Sequence, residues 1–244
     1  MILITNQTFP NYIIKFMSDE WIVNNCAVLV VVIFILGLGR FLSRQQNVNV
    51  TYLMGGIMFF TSVVTPLRTV LNGHWNIVTD LPLHLCGISG LICSFLPFLK
   101  RKQVLFDFVF YTGVIGGIMS VLTPQMNGFD GSDFAYLEYY VRHVTIFLLP
   151  LYMLQNLNIK LSKYSVLTSF IIINVLLVFI MPLNFYLGSN YMYLAEPPQV
   201  NNPLVIGQWP YYLLWFEVFI VVLMSVFYKL STLKFNLKKQ LISD

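Results

Sequence analysis

Residues Thr79–Lys102 read TDLPLHLCGISGLICSFLPFLKRK. An acidic residue, Asp80, stands before an apolar run from Leu81 to Phe98. Three cations, Lys100, Arg101 and Lys102, follow it. At about 1.5 Å per helical residue this run covers most of a hydrocarbon core roughly 30 Å thick. The continuous apolarity, without the alternation of a barrel strand, predicts a membrane-spanning helix. The basic flank predicts that its C-terminal end faces the cytoplasm.

Six more runs of the same kind lie on either side. The predicted spans are Trp21–Gly39, Tyr52–Leu71, Leu81–Phe98, Leu105–Leu122, Phe134–Leu154, Val166–Tyr186 and Tyr211–Leu230. Over the 244 residues, 57% are hydrophobic and only 10% charged, with a mean hydropathy of +0.74. Soluble domains carry about 25% charged residues. That much apolar side chain excludes a soluble globular protein, a disordered chain, a disulfide scaffold and a nucleic-acid binder. The expectation is an all-α, polytopic membrane helical bundle: one domain over residues 1–244, multi-pass in the cell membrane.

Charge sets the orientation. Arg40, Arg44, Lys100, Arg101, Lys102, Lys160, Lys163, Lys229, Lys234, Lys238 and Lys239 all fall on alternate connections. The opposite connections hold Lys15 alone, with Asp19, Glu20, Asp80, Asp130, Asp133 and Glu196. Segment 1–20 is therefore expected outside and a basic tail, 229–244, in the cytoplasm. The net charge of +4 is topological. No cleavable leader is expected, because a basic n-region is missing. The three cysteines, Cys26, Cys86 and Cys93, lie in apolar stretches and are expected as thiols. The outer connection 187–208, rich in Tyr, Trp and Pro, reads either as a lid lying on, or dipping into, the outer leaflet or as a plain surface loop with an aromatic belt.

Ionisable groups inside spans are costly and point to function. They are Arg68, His84, Asp107, Glu138, Arg142, His143 and Glu217. Asp107 lies near the basic end and reads as structural. The rest map to the outer half, where Asp80, Cys86, His74 and Trp75 join them. Glu138 and Arg142 are spaced i,i+4 and can pair. Asp80 and His84 share that spacing, so Asp80 either fixes the His84 tautomer or caps the helix at TDLP. In an unbroken helix His84 and Cys86 would point about 200° apart, against a local dyad. Cys26 and Cys93 read as small buried hydrophobes. Cys86 is either another or a nucleophile whose base comes from a different helix, His143 being the candidate at matching depth. Gly87, Gly90 and Ser94 on span three, and Gly113, Gly117 and Ser120 on span four, read as packing seams.

At LPLHLCGISG, Leu81–Gly90, the chain resembles the YwaF-type bacterial integral membrane proteins, which are similar to eukaryotic transmembrane acyltransferases that remodel ether phospholipids. The likeness includes Arg68, Trp75, TPQMN (Thr123–Asn127), His143 and NYMYLAEPP…GQWPYY (Asn190–Tyr212). The resemblance implies an acyl-accepting Cys86 assisted by His143, with His84 in the same motif.

The leading expectation is a lipid acyltransferase or acyl hydrolase. Cys86, His143 and His84 would be catalytic, and Arg68, Arg142, Glu138, Trp75, Glu217 and Asp80 would bind substrate. Its partners would be membrane phospholipid or lysophospholipid, with lipoprotein acyl chains as another donor and no nucleic acid. It needs no metal and no cofactor. The alternative is a transporter or receptor that holds a polar solute through Arg68, Glu138, Arg142 and Glu217. A third reading is a metal-dependent amidase on His74, His84, His143 and Asp80, although no pair of histidines has the i,i+4 spacing of helix-borne ligands.

Overall fold

Serines start three of the helices. In this computed structural model Ser18, Ser43 and Ser132 each accept an amide hydrogen bond in the first turn, and Ser43 forms a capping box with Gln46. The structure describes residues 11–199 and 205–243, with side chains up to 233. Parts of three predicted segments therefore lie outside the described residues: the first ten residues, Pro203 with its neighbours in the outer loop, and the side chains of Lys234, Lys238 and Lys239.

Seven α-helices follow in order among the described residues: α1 Asp19–Leu38, α2 Arg44–Leu71, α3 Leu85–Phe95, α4 Gln103–Leu122, α5 Asp133–Asn156, α6 Ser165–Leu187 and α7 Tyr211–Ser243. A 3₁₀ turn, Leu96–Phe98, extends α3. The helices α1, α2, α4, α6 and α7 are long and apolar enough to cross a bilayer. Their exposed faces carry Val30, Phe34, Phe60, Phe179 and Val222, a surface suited to lipid and not to water. The chain is a helical, multi-pass membrane protein. The helix α5 is as long, but polar residues interrupt its first half.

The innermost helices are α4 and α5. Tyr111, Val114, Ile146, Leu149 and Tyr152 are fully enclosed, and α2, α3 and α6 pack around them. The small residues on α4 allow this approach: a Cβ at Gly113 would come within 2.6 Å of the Ile146 carbonyl oxygen, and one at Gly117 within 2.9 Å of that of His143. Asn47, at the α1–α2 turn, donates to the Gly39, Leu42 and Ser43 carbonyls and accepts from the Tyr152 hydroxyl at 2.5 Å. Asp107 is buried and structural. Its Oδ1 accepts from Gln103 and from the Ser162 amide.

One expectation changes. The third span is not helical from Leu81: the helix starts at Leu85, and His84 is extended, with φ −65° and ψ 148°. Pro82 keeps Leu81 out of helical geometry, and the helix begins three residues further on, at Leu85. The Pro82 backbone also folds over Gly87, where an added Cβ would sit 2.9 Å from the Pro82 carbonyl. One short strand pair accompanies the helices among the described residues. Tyr12–Ile13 (β1) pairs antiparallel with Gln125–Met126 (β2), within the TPQMN stretch.

The described part of the outer loop is anchored to the bundle. Tyr191 and Leu194 are buried, and Asn184 of α6 clamps the loop through both the amide and the carbonyl of Tyr191, each at 2.8 Å.

Candidate active site

A cavity of about 730 Å³ lies between α2 and α7 at the end of the bundle away from the basic connections. Its wall includes every residue singled out by sequence: Arg68, Trp75, Asp80, His84, Cys86, Glu138, Arg142, His143 and Glu217, with His74. One side is apolar, built by Ile173 and Leu177 of α6 and by Phe216, Phe219, Ile220 and Leu223 of α7.

Cys86 occupies the first turn of α3. Its Sγ lies 3.6 Å from the Ser120 Oγ of α4. The Ser120 hydroxyl donates to the Gly116 carbonyl at 2.9 Å. With that single proton committed, the thiol is the donor of the Cys86–Ser120 contact. Gly116 makes room: a Cβ there would sit 3.5 Å from the sulfur. The other cysteines differ, Cys26 facing outward from α1 and Cys93 being buried in the core.

His143 descends from α5 at the level where Gly117 brings α4 close. Its Nδ1 is 2.7 Å from the Tyr139 carbonyl oxygen. A carbonyl only accepts, so Nδ1 carries a proton and the neutral ring keeps its lone pair on Nε2. The Tyr139 ring packs on the imidazole at 4.2 Å between centroids, and its hydroxyl donates to the Ser120 carbonyl. Tyr139 thus links the frames that hold His143 and the thiol's partner. Between Cys86 and His143 themselves there is no direct hydrogen bond. They share the cavity wall.

His84 does not pair with Asp80. The Asp80 carboxylate accepts from the Asn76 amide at 2.6 Å, which caps the loop before α3. The partner of His84 Nδ1 is the Met192 amide of the outer loop, at 3.2 Å. Because His84 precedes the helix, the helical angle that would separate it from Cys86 does not apply, and both side chains line the cavity.

The two arginines differ in their engagement. Arg68 is bound at the mouth: it contacts Asp130 at 2.5 Å, donates to the Ser132 hydroxyl at 2.8 Å and lies 4.9 Å from the Phe134 ring centroid. Burial pulls the Asp130 carboxyl upward, but the Ser132 hydroxyl and amide and the Arg68 guanidinium outweigh it and hold it below the usual carboxylate range. Arg142 meets Glu138 at 3.8 Å, the spacing foreseen on one helix face, and has no other ionic contact among the described residues. Glu217 of α7 accepts from Asn174 of α6 at 3.1 Å. No three His, Cys, Asp or Glu side chains converge as a metal-ligand set among the described residues.

Sequence reasoning missed three contributors. Gly116 is one glycine among several on α4, and Ser120 read as packing. Met192 acts through its backbone and carries no signal in its side chain.

Neither the curated proteins nor the solved structures contain a match to this chain. The family model of the TMEM164 family covers residues 16–228, which takes in every helix through α6, the cavity residues named above and most of the membrane part of α7. By that match this membrane protein belongs to the TMEM164 family.

Proposed function

We propose that the protein is a lipid acyltransferase, with acyl hydrolysis as its side reaction, in which Cys86 is the acyl-accepting nucleophile and His143 the base. The observation that carries the reading is the common wall: thiol, imidazole and an apolar flank from α6 and α7 around one cavity large enough for part of a lipid. The resemblance at LPLHLCGISG points the same way.

His143 Nε2 takes the thiol proton, either directly as the side chains close on substrate or through one water. The sulfur attacks the ester carbonyl carbon and the carbonyl electron pair moves to oxygen. Collapse of this oxyanion breaks the bond to the lysolipid alkoxide, which recovers the proton from His143. An acyl thioester on Cys86 and the free alcohol of the lysolipid result, and His143 is neutral again. An incoming lysolipid alcohol, an amine or water reverses the sequence and releases the acyl group. The apolar wall keeps water scarce and favours transfer over hydrolysis. Arg142, whose guanidinium is not absorbed by a close partner, is the better candidate to hold a phosphate; Arg68 is engaged at the mouth. The acyl donor is a phospholipid or lipoprotein ester of the outer leaflet, the side given by the charge asymmetry.

The test is acyl exchange by purified protein in vesicles of phosphatidylethanolamine, phosphatidylglycerol and phosphatidylcholine, read by mass spectrometry. Cys86→Ala is expected to abolish exchange while keeping the melting profile. Normal turnover in that variant overturns the nucleophile. Solute uptake with no lipid product supports the solute-binding reading instead.

A further inference from the structure

We propose that His84 is the oxyanion donor of this site, and that the outer-loop backbone at Met192 fixes the ring in the one tautomer able to play that part. The inference rests on the acyl-transfer reading and adds a catalytic residue and a positioning residue to it.

The tautomer follows from the partner. An amide N–H only donates, so His84 Nδ1 must be the bare nitrogen and the proton must sit on Nε2. His143 has the reverse assignment, since its Nδ1 faces a carbonyl. Among the described residues neither Nε2 has a hydrogen-bond partner, and both rings line the cavity. One imidazole therefore offers the cavity an N–H and the other a lone pair. The lone pair suits proton removal from Cys86. The N–H suits a developing negative charge on the acyl oxygen. The roles cannot be exchanged without breaking a backbone contact.

The Met192 amide reaches His84 through an unusual backbone. Met192 and Tyr193 have φ of 56° and 55°, both in the left-handed region that side-chain-bearing residues seldom occupy. Strained pairs persist where their surroundings over-determine them. Here Asn184 holds Tyr191 at both amide and carbonyl, the Tyr191 hydroxyl donates to the Ile77 carbonyl, and the Tyr212 hydroxyl donates to that of Tyr193. The rings of Tyr191 and Tyr193 flank the imidazole, each 5.3 Å away between centroids. All this rigidity converges on one amide aimed at one ring nitrogen.

Placement completes the argument. His84 is the N-cap residue of α3 and Cys86 stands in the first turn, so an acyl carbon on the sulfur lies beside the unwound segment that carries the ring. In the step proposed above, the carbonyl electron pair moves to oxygen as the carbon–sulfur bond forms. The Nε2–H bonds that oxygen and keeps its own proton throughout. When the leaving alkoxide departs, the C=O bond re-forms and the hydrogen bond relaxes. No further reactant is needed.

Two substitutions separate catalysis from a mere loop clamp. An asparagine amide occupies the place of Nδ1 and can still accept from Met192, but it falls short of Nε2. A glutamine amide reaches the place of Nε2 and can donate there. Purified full-length protein is mixed with p-nitrophenyl octanoate, and the first-turnover burst is followed by p-nitrophenolate release and by acylation of Cys86. Loss of one oxyanion donor costs about 10²–10³-fold in rate, so His84→Asn is expected to slow the burst by roughly a hundredfold with an unchanged melting temperature. His84→Gln is expected to stay within about tenfold of wild type. A burst in His84→Asn as fast as in His84→Gln overturns the oxyanion role. Independently, ¹⁵N spectra of histidine-labelled protein in bilayers should show His84 protonated on Nε2 and His143 on Nδ1; the opposite result for His84 overturns the outer loop's part. A wild-type protein that never acylates Cys86 removes the acyl-transfer reading itself, and the oxyanion role with it, whatever the spectra show.

Discussion

The Cys86 thiol donates toward Ser120, whose own proton is committed to the Gly116 carbonyl 2.9 Å away. At rest the thiol proton therefore stays on the sulfur and points toward α4. When the proton leaves, the Ser120 hydroxyl can turn and donate to the sulfur, a charge-assisted bond stronger than the one it gives up. Ser120→Ala removes that partner without adding bulk. Losing one hydrogen bond to a charged group costs about 1.5–3 kcal/mol. The expected outcome is a fall of roughly ten- to a hundredfold in Cys86 acylation and a parallel fall in its alkylation by a small maleimide. Unchanged alkylation kinetics would contradict this role for Ser120.

The arginines should separate by phenotype. Arg68→Gln breaks contacts to Asp130, Ser132 and the Phe134 ring, and should lower the melting temperature. Arg142→Gln removes one long ionic contact, that to Glu138, among the described residues, so its main expected effect is a tenfold or greater loss in kcat/KM for phospholipid. Equal thermal shifts with equal activity losses would contradict the division.

The Arg68–Asp130 contact also predicts a pH dependence. The folded-state pKa of Asp130 is depressed, so its stabilisation is present above the ordinary carboxylate pKa and fades as pH falls through the folded value. A partly exposed pair of this kind is worth about 1 kcal/mol. Asp130→Asn should melt a few degrees below wild type at neutral pH, and the gap should close in strongly acidic buffer. A gap that widens on acidification would reverse the sign and refute the account.

The α4–α5 seam makes a packing prediction. A methyl at Gly113 or Gly117 meets backbone oxygen on α5, whereas one at Gly37 or Gly56 meets nothing within 4 Å. Overpacking of this kind costs about 1–3 kcal/mol. Gly113→Ala and Gly117→Ala should destabilise, and Gly117→Ala should also lose activity beyond its stability cost because it displaces His143. Gly56→Ala should be neutral. Equal effects at all these glycines, measured by thermal melting in detergent, would show that the seam is not close-packed.

The sequence was most informative where physics acts residue by residue. A helix in lipid must be apolar over its whole length, so the helices appear as runs, and buried ionisable groups stand out against them. Arg68, Glu138, Arg142, His143 and Glu217 were visible for that reason. The start of α3 was not, because the apolar Leu81–Leu83 cannot be told by composition from the helix that follows, although the helix begins only at Leu85. Reading that segment as helix turned His84 away from Cys86. The Asp80–His84 pairing failed likewise, since i,i+4 spacing has meaning only inside a helix. Met192 was illegible in principle: its contribution is one backbone amide, placed by φ angles that no side-chain pattern announces.

Acylation of Cys86 is the most direct test of the central claim. Wild-type protein in phospholipid vesicles is quenched in acid after brief turnover and its intact mass is measured. The expected result is a single acyl adduct, removed by neutral hydroxylamine, mapped to Cys86 and missing in Cys86→Ala, with His143→Ala slowing its appearance. Exchange of acyl chains with no thioester at any time point, and with Cys86→Ala as active as wild type, would contradict it.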